Sequence, residues 1–136
     1  MTSRCLCLIA LALPLCGDAT HDLLGDAAAS LSEDNAAAFL KYCDPKMPDY
    51  QLLQTSITDL LARATVLSSI EVLSDTGDDS KRKLELDWFV QLRLKTTSGT
   101  IQRRRQRIRC TIEKQPKKKN KWLIVALEPL DLFRPQ

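Results

Sequence analysis

Polar and apolar positions follow two periodicities, and the change between them divides the chain. From Asp22 the pattern is helical: Leu23, Leu24, Ala27, Ala28 and Leu31 recur on one face, and Asp22 stands where an N-cap is expected. Ser32-Glu33-Asp34-Asn35 interrupts this pattern and offers new capping side chains, after which residues 36–43 resume as a short helix. Asp44-Pro45 ends that helix, because proline disfavours helical backbone in the residue before it. Asp49 is the expected cap of a third helix, with Tyr50, Leu53, Ile57, Leu60, Leu61 and Ala64 as its apolar stripe and Gln51, Gln54, Thr55, Thr58 and Arg63 opposite.

After Thr65 the period becomes two. Residues 66–73 predict a first strand, and residues 75–80 a turn. In the next segment Leu84, Leu86, Trp88, Val90, Leu92 and Leu94 face one way and Glu85, Asp87, Gln91 and Arg93 the other, with Phe89 the exception. Thr97-Ser98-Gly99 fits a three-residue hairpin loop with glycine in the left-handed position. Centring the hairpin on Ser98 sets Leu86 opposite Cys110, Leu84 opposite Ile112 and Trp88 opposite Ile108 on the inner face. It sets Asp87 opposite Arg109 and Lys83 opposite Glu113 on the outer face, each charge pair worth at most ~1 kcal/mol, although Arg93 then faces Arg103. Pro116 to Asn120 turns the chain, and Trp122 to Leu127 is apolar on both faces, as in a central or helix-covered strand. Helices followed by four strands in an antiparallel meander make an α+β domain. Strands of about fifteen residues, against a usual 5–6, imply a strongly curved sheet wrapped around the N-terminal helices.

The first nineteen residues read differently. Arg4 precedes an uncharged apolar run from Cys5 to Cys16, of secretory-signal rather than membrane-spanning length, and Gly17 and Ala19 are small residues suited to cleavage after Ala19. This expectation makes residues 1–19 a signal peptide, residues 20–136 a single domain, and the protein exported, periplasmic or secreted. Lipidation at Cys16 is the less favoured alternative, since Leu15 before it is not small. Export would leave two cysteines, Cys43 and Cys110, which could form a disulfide or be two small buried apolar side chains. With one His and, after the leader, only those two of the five cysteines, little remains from which to build a metal site, and neither metal nor cofactor is expected.

The string Ser32 to Leu40, then Asp44-Pro45, a capped helix and four long strands ending in Trp122-Leu123-Ile124 resembles the nuclear transport factor 2-like superfamily. The resemblance implies a cystatin-like cone, helices packed inside a curved sheet, often dimerising through that sheet. The superfamily holds isomerases, dehydratases, adaptors and exported domains, so the resemblance implies a cavity and not a reaction. Its enzymes would need a carboxylate or an Asp/His pair in the cone. The inward positions expected here, including Gln102, Arg104, Gln106, Ile108, Cys110 and Ile112 on the third strand, contain no acid. Glu71 and Glu128 could face inward only under another register, and the balance points away from catalysis.

Charge is segregated along the chain. Between Gly99 and Lys121 stand ten Lys and Arg against Glu113 alone, and Arg103, Arg105, Arg107 and Arg109 alternate on one strand face before Lys117, Lys118 and Lys119 in the next turn. This row is either a solvated outer face, partly neutralised by Glu85 and Asp87, or a surface for an anionic partner, since Arg forks match phosphate and carboxylate. The expected compartment and the lack of interleaved aromatics argue against nucleic acid and for an anionic envelope component, with a homodimer as a further alternative. Arg104, Gln102 and Gln106 beside Leu92, Leu94 and Trp88 are the candidate cavity residues, suited to a small carboxylate ligand. The expected function is thus a non-catalytic binding module, the alternative a small-molecule enzyme or carrier that uses the cone.

Overall fold

A computed structural model of the chain describes residues 19–96, 99–118 and 121–134. Helix α1 covers residues 19–32, α2 Ala36–Lys41 and α3 Tyr50–Arg63. Strands β1 (Ala64–Gly77), β2 (Lys81–Leu94), β3 (Ile101–Lys114) and β4 (Trp122–Glu128) follow, and a 3-10 turn, Asp131–Phe133, comes after them. The strands form one antiparallel sheet in chain order, the expected meander, and the helices pack on its concave face.

The capping expectations hold in part. Helix α1 is already formed at residue 19, so Asp22 lies within it and is not its cap; the run from Ala19 to Asp22 contains no breaker. Helical backbone thus passes through the expected cleavage site, and Thr20 is buried. Asn35 caps α2, its Oδ1 accepting from the Ala38 N–H at 2.9 Å. Asp49 occupies the N-cap position of α3 but makes no side-chain capping bond, its backbone being left-handed at φ 60°. That conformation turns a carboxylate away from the N–H groups it would otherwise receive.

The β2–β3 register is two residues off the expected one. Leu84 pairs with Cys110, Leu86 with Ile108, Trp88 with Gln106 and Asp87 with Arg107. The reason lies at the hairpin end. The Lys95 N–H donates to the Arg63 carbonyl at the end of α3 (2.8 Å), and its ammonium donates to the Leu61 carbonyl (2.8 Å) and pairs with Asp34. Lys95 therefore leaves the ladder, and the hairpin closes at Leu94, whose N–H donates to the Thr100 carbonyl. The loop is longer than three residues; Gly99 takes the expected left-handed backbone (φ 63°), while Thr97 and Ser98 lie outside the described residues. A two-residue slip preserves which face each side chain occupies, so the inward and outward sets survive. It also sets Gln91, not Arg93, opposite Arg103.

β1 runs past its expected end to Gly77, and the turn contracts to Asp78–Ser80. Asp78 organises it, accepting from the N–H groups of Ser80 and Lys81, which hold its carboxyl below the usual range. Gly77 is required here: φ is 134° and a Cβ would lie 2.1 Å from the Lys81 carbonyl oxygen. β4 is the edge strand that the meander implies, so of the two readings of its two-sided apolarity, central or helix-covered, the central one does not hold. Tyr42 to Asp44 covers part of that edge, with the Asp44 N–H on the Ile124 carbonyl and the Ile124 N–H on the Tyr42 carbonyl, both 2.8 Å.

Ser68 ties three elements together. Its Oγ accepts from the Trp88 indole N–H at 2.8 Å, and its N–H donates to Ser32 Oγ at 3.0 Å, linking β2, β1 and α1. Ser68→Ala orphans a buried indole donor and is expected to cost about 1–3 kcal/mol in urea unfolding, whereas the outward Ser69→Ala should be close to neutral.

Candidate functional site

The concave face of the sheet has a dry end and a polar end. On β2, Leu84, Leu86, Trp88, Val90 and Leu92 are buried; on β3, Ile108, Cys110 and Ile112 are buried. Gln102, Arg104, Gln106 and Leu94 are half-buried at the other end, where Gln102 pairs with Leu92 and Arg104 with Val90. The candidate cavity residues thus come together on one end of one face.

The space between that face and the helices is filled. Trp88, Phe39 and Phe133 are fully buried, with ring centroids 6.3 Å apart for Phe39–Trp88, 6.0 Å for Phe39–Phe133 and 5.0 Å, edge to face, for Trp88–Phe133. Phe133 and Leu132 come from the 3-10 turn after β4, which reaches the cone past a cis Glu128–Pro129 bond. This turn was not foreseen; its only signal is the apolar group Leu130, Leu132 and Phe133 following the last strand.

Arg104 sits beneath the turn. One guanidinium nitrogen, Nη1, donates to the carbonyls of Leu132 (3.0 Å) and Arg134. The other, Nη2, is buried without a hydrogen-bond partner, and so is Gln106 Oε1. Burial lowers the Arg104 pKa from its ordinary value, but a guanidinium stays charged. Neutral carbonyl dipoles therefore hold a cation where a carboxylate would serve better.

No inward-facing residue of β2 or β3 is acidic. Glu71 and Glu128, the two carboxylates whose orientation depended on register, are both exposed. Tyr42 and Tyr50 line clefts on the helix side: Tyr42 one of about 650 Å³ beside Asp22, Asp26, Lys41 and Trp122, Tyr50 one of about 610 Å³ beside Gln54 and Thr58. Cys43 and Cys110 are free thiols in the structure, both buried in the core. Among the described residues no group of three or more His, Cys, Asp and Glu could hold a metal ion.

On the outer face Arg103, Arg105, Arg107 and Arg109 all point to solvent, and each has a partner. Arg105 binds Asp87 through Nε (3.0 Å) and Nη2 (2.6 Å), which pulls the Asp87 carboxyl below its ordinary range. Arg109 pairs with Glu128 at 3.2 Å, Arg107 with Glu85 at 3.9 Å, and Arg103 Nε donates to Gln91 at 3.1 Å. The side chains of Arg105, Arg107 and Arg109 nevertheless remain 70–74% exposed. Lys117 and Lys118 are exposed in the following turn, and Lys119 lies outside the described residues.

One polar cluster has no counterpart in the sequence reading. His21 Nε2 lies 3.0 Å from Asp75 Oδ2, and Arg82 holds the other carboxylate oxygen at 2.8 Å, fastening α1 to the β1–β2 hairpin. His21 and Asp75 are 54 residues apart, and no local spacing reveals such a contact.

No helix among the described residues is long and apolar enough to cross a membrane. No family model matches the sequence, and no curated protein matches it. Solved structures do match. A conserved protein from Planctomyces limnophilus superposes with a TM-score of 0.70 at 5% identity, over 80% of this chain and 90% of that one. A nuclear transport factor 2-like protein with a cystatin-like fold from Novosphingobium aromaticivorans gives 0.64 at 14% identity, over 88% and 84%. A nuclear transport factor 2-like superfamily protein from Salmonella enterica gives 0.61 at 12% identity, over 78% and 83%. At such identities the likeness speaks for the path of the chain alone, and by that path this protein has the nuclear transport factor 2-like, cystatin-like fold.

Proposed function

We propose that this protein is an exported, non-catalytic binding module that takes a small carboxylate with an apolar body at the mouth of its cone. The observation that carries this reading is Arg104: an inward-facing cation whose buried Nη2 has no hydrogen-bond partner, beside the unpartnered oxygen of Gln106. A carboxylate would add the attraction of opposite charges to the hydrogen bonds that neutral carbonyls already accept from this cation, and a guanidinium fork matches both of its oxygens. A half-turn of the Gln106 amide would offer its NH₂ group to the same ligand. Leu94 supplies an apolar edge at the mouth, and Leu92 and Trp88, buried beneath it, would form the wall once the space above them opens. Gln102 completes the polar rim. Catalysis is disfavoured because a general base must lie within hydrogen-bond reach of the proton it takes, and the inward faces of β2 and β3 carry no carboxylate or imidazole.

The test compares 3-phenylpropionate with 3-phenylpropanamide, following the Trp88 indole resonance by NMR. The acid is expected to bind at least tenfold more tightly than the amide, and Arg104→Gln to abolish that preference. Equal binding of acid and amide, or no response at Trp88, would refute the reading.

A second reading, contact with an anionic envelope surface, is favoured by the exposure that Arg105, Arg107 and Arg109 keep despite their ion pairs. Lys117, Lys118 and Lys119 would extend this surface. Each basic residue near such a surface contributes about 1 kcal/mol, screened by salt. Binding to vesicles containing anionic lipid should then weaken steeply with ionic strength and vanish when Arg103, Arg105, Arg107 and Arg109 are all changed to Gln. Retained binding in that variant rules this surface out.

A further inference from the structure

We infer that the segment after β4, residues 129–134, is a tethered occupant of the ligand site, a built-in competitor that must swing out before a ligand can enter. The inference rests on the reading of Arg104 as a carboxylate site and adds its regulation.

The segment imitates a ligand part by part. The phenyl ring of Phe133 fills the apolar space against Trp88 and Phe39. The carbonyl oxygens of Leu132 and Arg134 receive the same Arg104 nitrogen and stand in for the two oxygens of a carboxylate. The imitation of the body is good and that of the head is poor, because Arg104 Nη2 and Gln106 Oε1 stay unpartnered with the segment in place. An arylalkanoic acid would reproduce the ring contact and also satisfy the guanidinium.

The attachment is of a kind that can release. Residues 129–134 add no strand to the sheet. Their own bonds are local: the Phe133 N–H to the Leu130 carbonyl and the Arg134 N–H to the Asp131 carbonyl, both 3.1 Å, and the Arg134–Asp131 ion pair. The buried side chains of Leu132 and Phe133, the partly buried Leu130 and the Arg104 clasp hold the segment to the rest of the fold. Release opens the cone while the four-stranded ladder stays intact. A ligand that binds only the open form has its apparent affinity reduced by the fraction of molecules that are open.

Two measurements on the full chain test this. In the first, 3-phenylpropionate is titrated into the parent, Phe133→Ala and the milder Phe133→Leu. Removing the competing ring is expected to tighten binding at least tenfold in Phe133→Ala and by less in Phe133→Leu, which also covers the case in which the alanine variant does not fold. Equal affinity in all three overturns the inference and leaves the carboxylate reading standing. The second needs no binding to be seen. Amide exchange at Phe133 and Arg134 should be at least a hundredfold faster than at Trp88 and Ile108, as for a sub-global opening, and faster again in Arg104→Gln. Protection equal to that of the sheet shows the segment to be permanent core and overturns the inference. Should no variant bind the probe, the carboxylate reading fails and the competitor falls with it, and the exchange result then reports only whether the segment opens.

Discussion

Trp88→Ala is expected to lower the unfolding free energy by about 3–5 kcal/mol, read as a fall in the urea midpoint at nearly unchanged slope. The indole is fully buried, touches Phe39 and Phe133, and satisfies Ser68. Truncation removes apolar contact from both aromatic neighbours and leaves a cavity in the middle of the cone, where helices and sheet are least free to collapse onto it. Domains of this size are stable by only about 5–15 kcal/mol, so the variant should stand near the edge of folding. Phe89, the next residue on the same strand, is the internal control. It faces outward between Ser69 and Arg105 and is half-buried, so Phe89→Ala should cost less than half as much. Comparable losses at the two positions would contradict the division of β2 into an inner and an outer face.

The second large effect is on alkaline stability. Burial pushes the Cys43 thiol from its ordinary 9.0 up to about 12, and burial followed by the nearby Cys43 raises Cys110 as well. Below about pH 8.5 both folded and unfolded chains keep these protons, and the thiols impose no pH dependence. Above it the unfolded chain ionises while the folded one does not, so stability falls by about 1.4 kcal/mol per pH unit for each thiol. For Cys43 this decline ends near pH 12, where the folded thiol ionises too. Urea midpoints taken under reducing conditions between pH 8.5 and 11 should therefore fall more steeply for the parent than for Cys110→Ala, by roughly 1.4 kcal/mol per unit. Parallel slopes would mean that the thiols ionise as readily in the folded chain as in the unfolded one. Both thiols should also resist alkylation at pH 8 until the chain is unfolded, since only a thiolate that reaches solvent reacts.

The local order of this protein was legible because its causes are local. Period-two alternation from Leu84 to Leu92 set which side chains enter the core, and those residues are at most 3% exposed. A cap for α2 somewhere within residues 32–35, the left-handed Gly99 and the long meander could be read for the same reason: each depends on a few neighbouring residues. The exact pairing of β2 with β3 could not, because charge matching tolerates a slip of two residues. What decided it was Lys95, drawn to the end of α3 by a backbone bond that no hairpin rule contains. The candidate site divides in the same way. Arg104, Gln102 and Gln106 were visible as polar interruptions of an apolar face, whereas their true neighbours were not.

The sequence by itself thus determined the order of helices and strands, the alternation that keeps Trp88 dry and Arg105 wet, and the concentration of cations on one strand. Tertiary structure alone decided that the cone is occupied by Phe133, that Arg104 is held by backbone carbonyls of Leu132 and Arg134, and that His21 meets Asp75 and Arg82. The physical reason is one of range. Periodicity and capping are written in the chemistry of residues within a turn or two of one another, while the filling of a cavity depends on which distant segment has the shape and surface to displace water from it, and that is settled only when the sheet has curved.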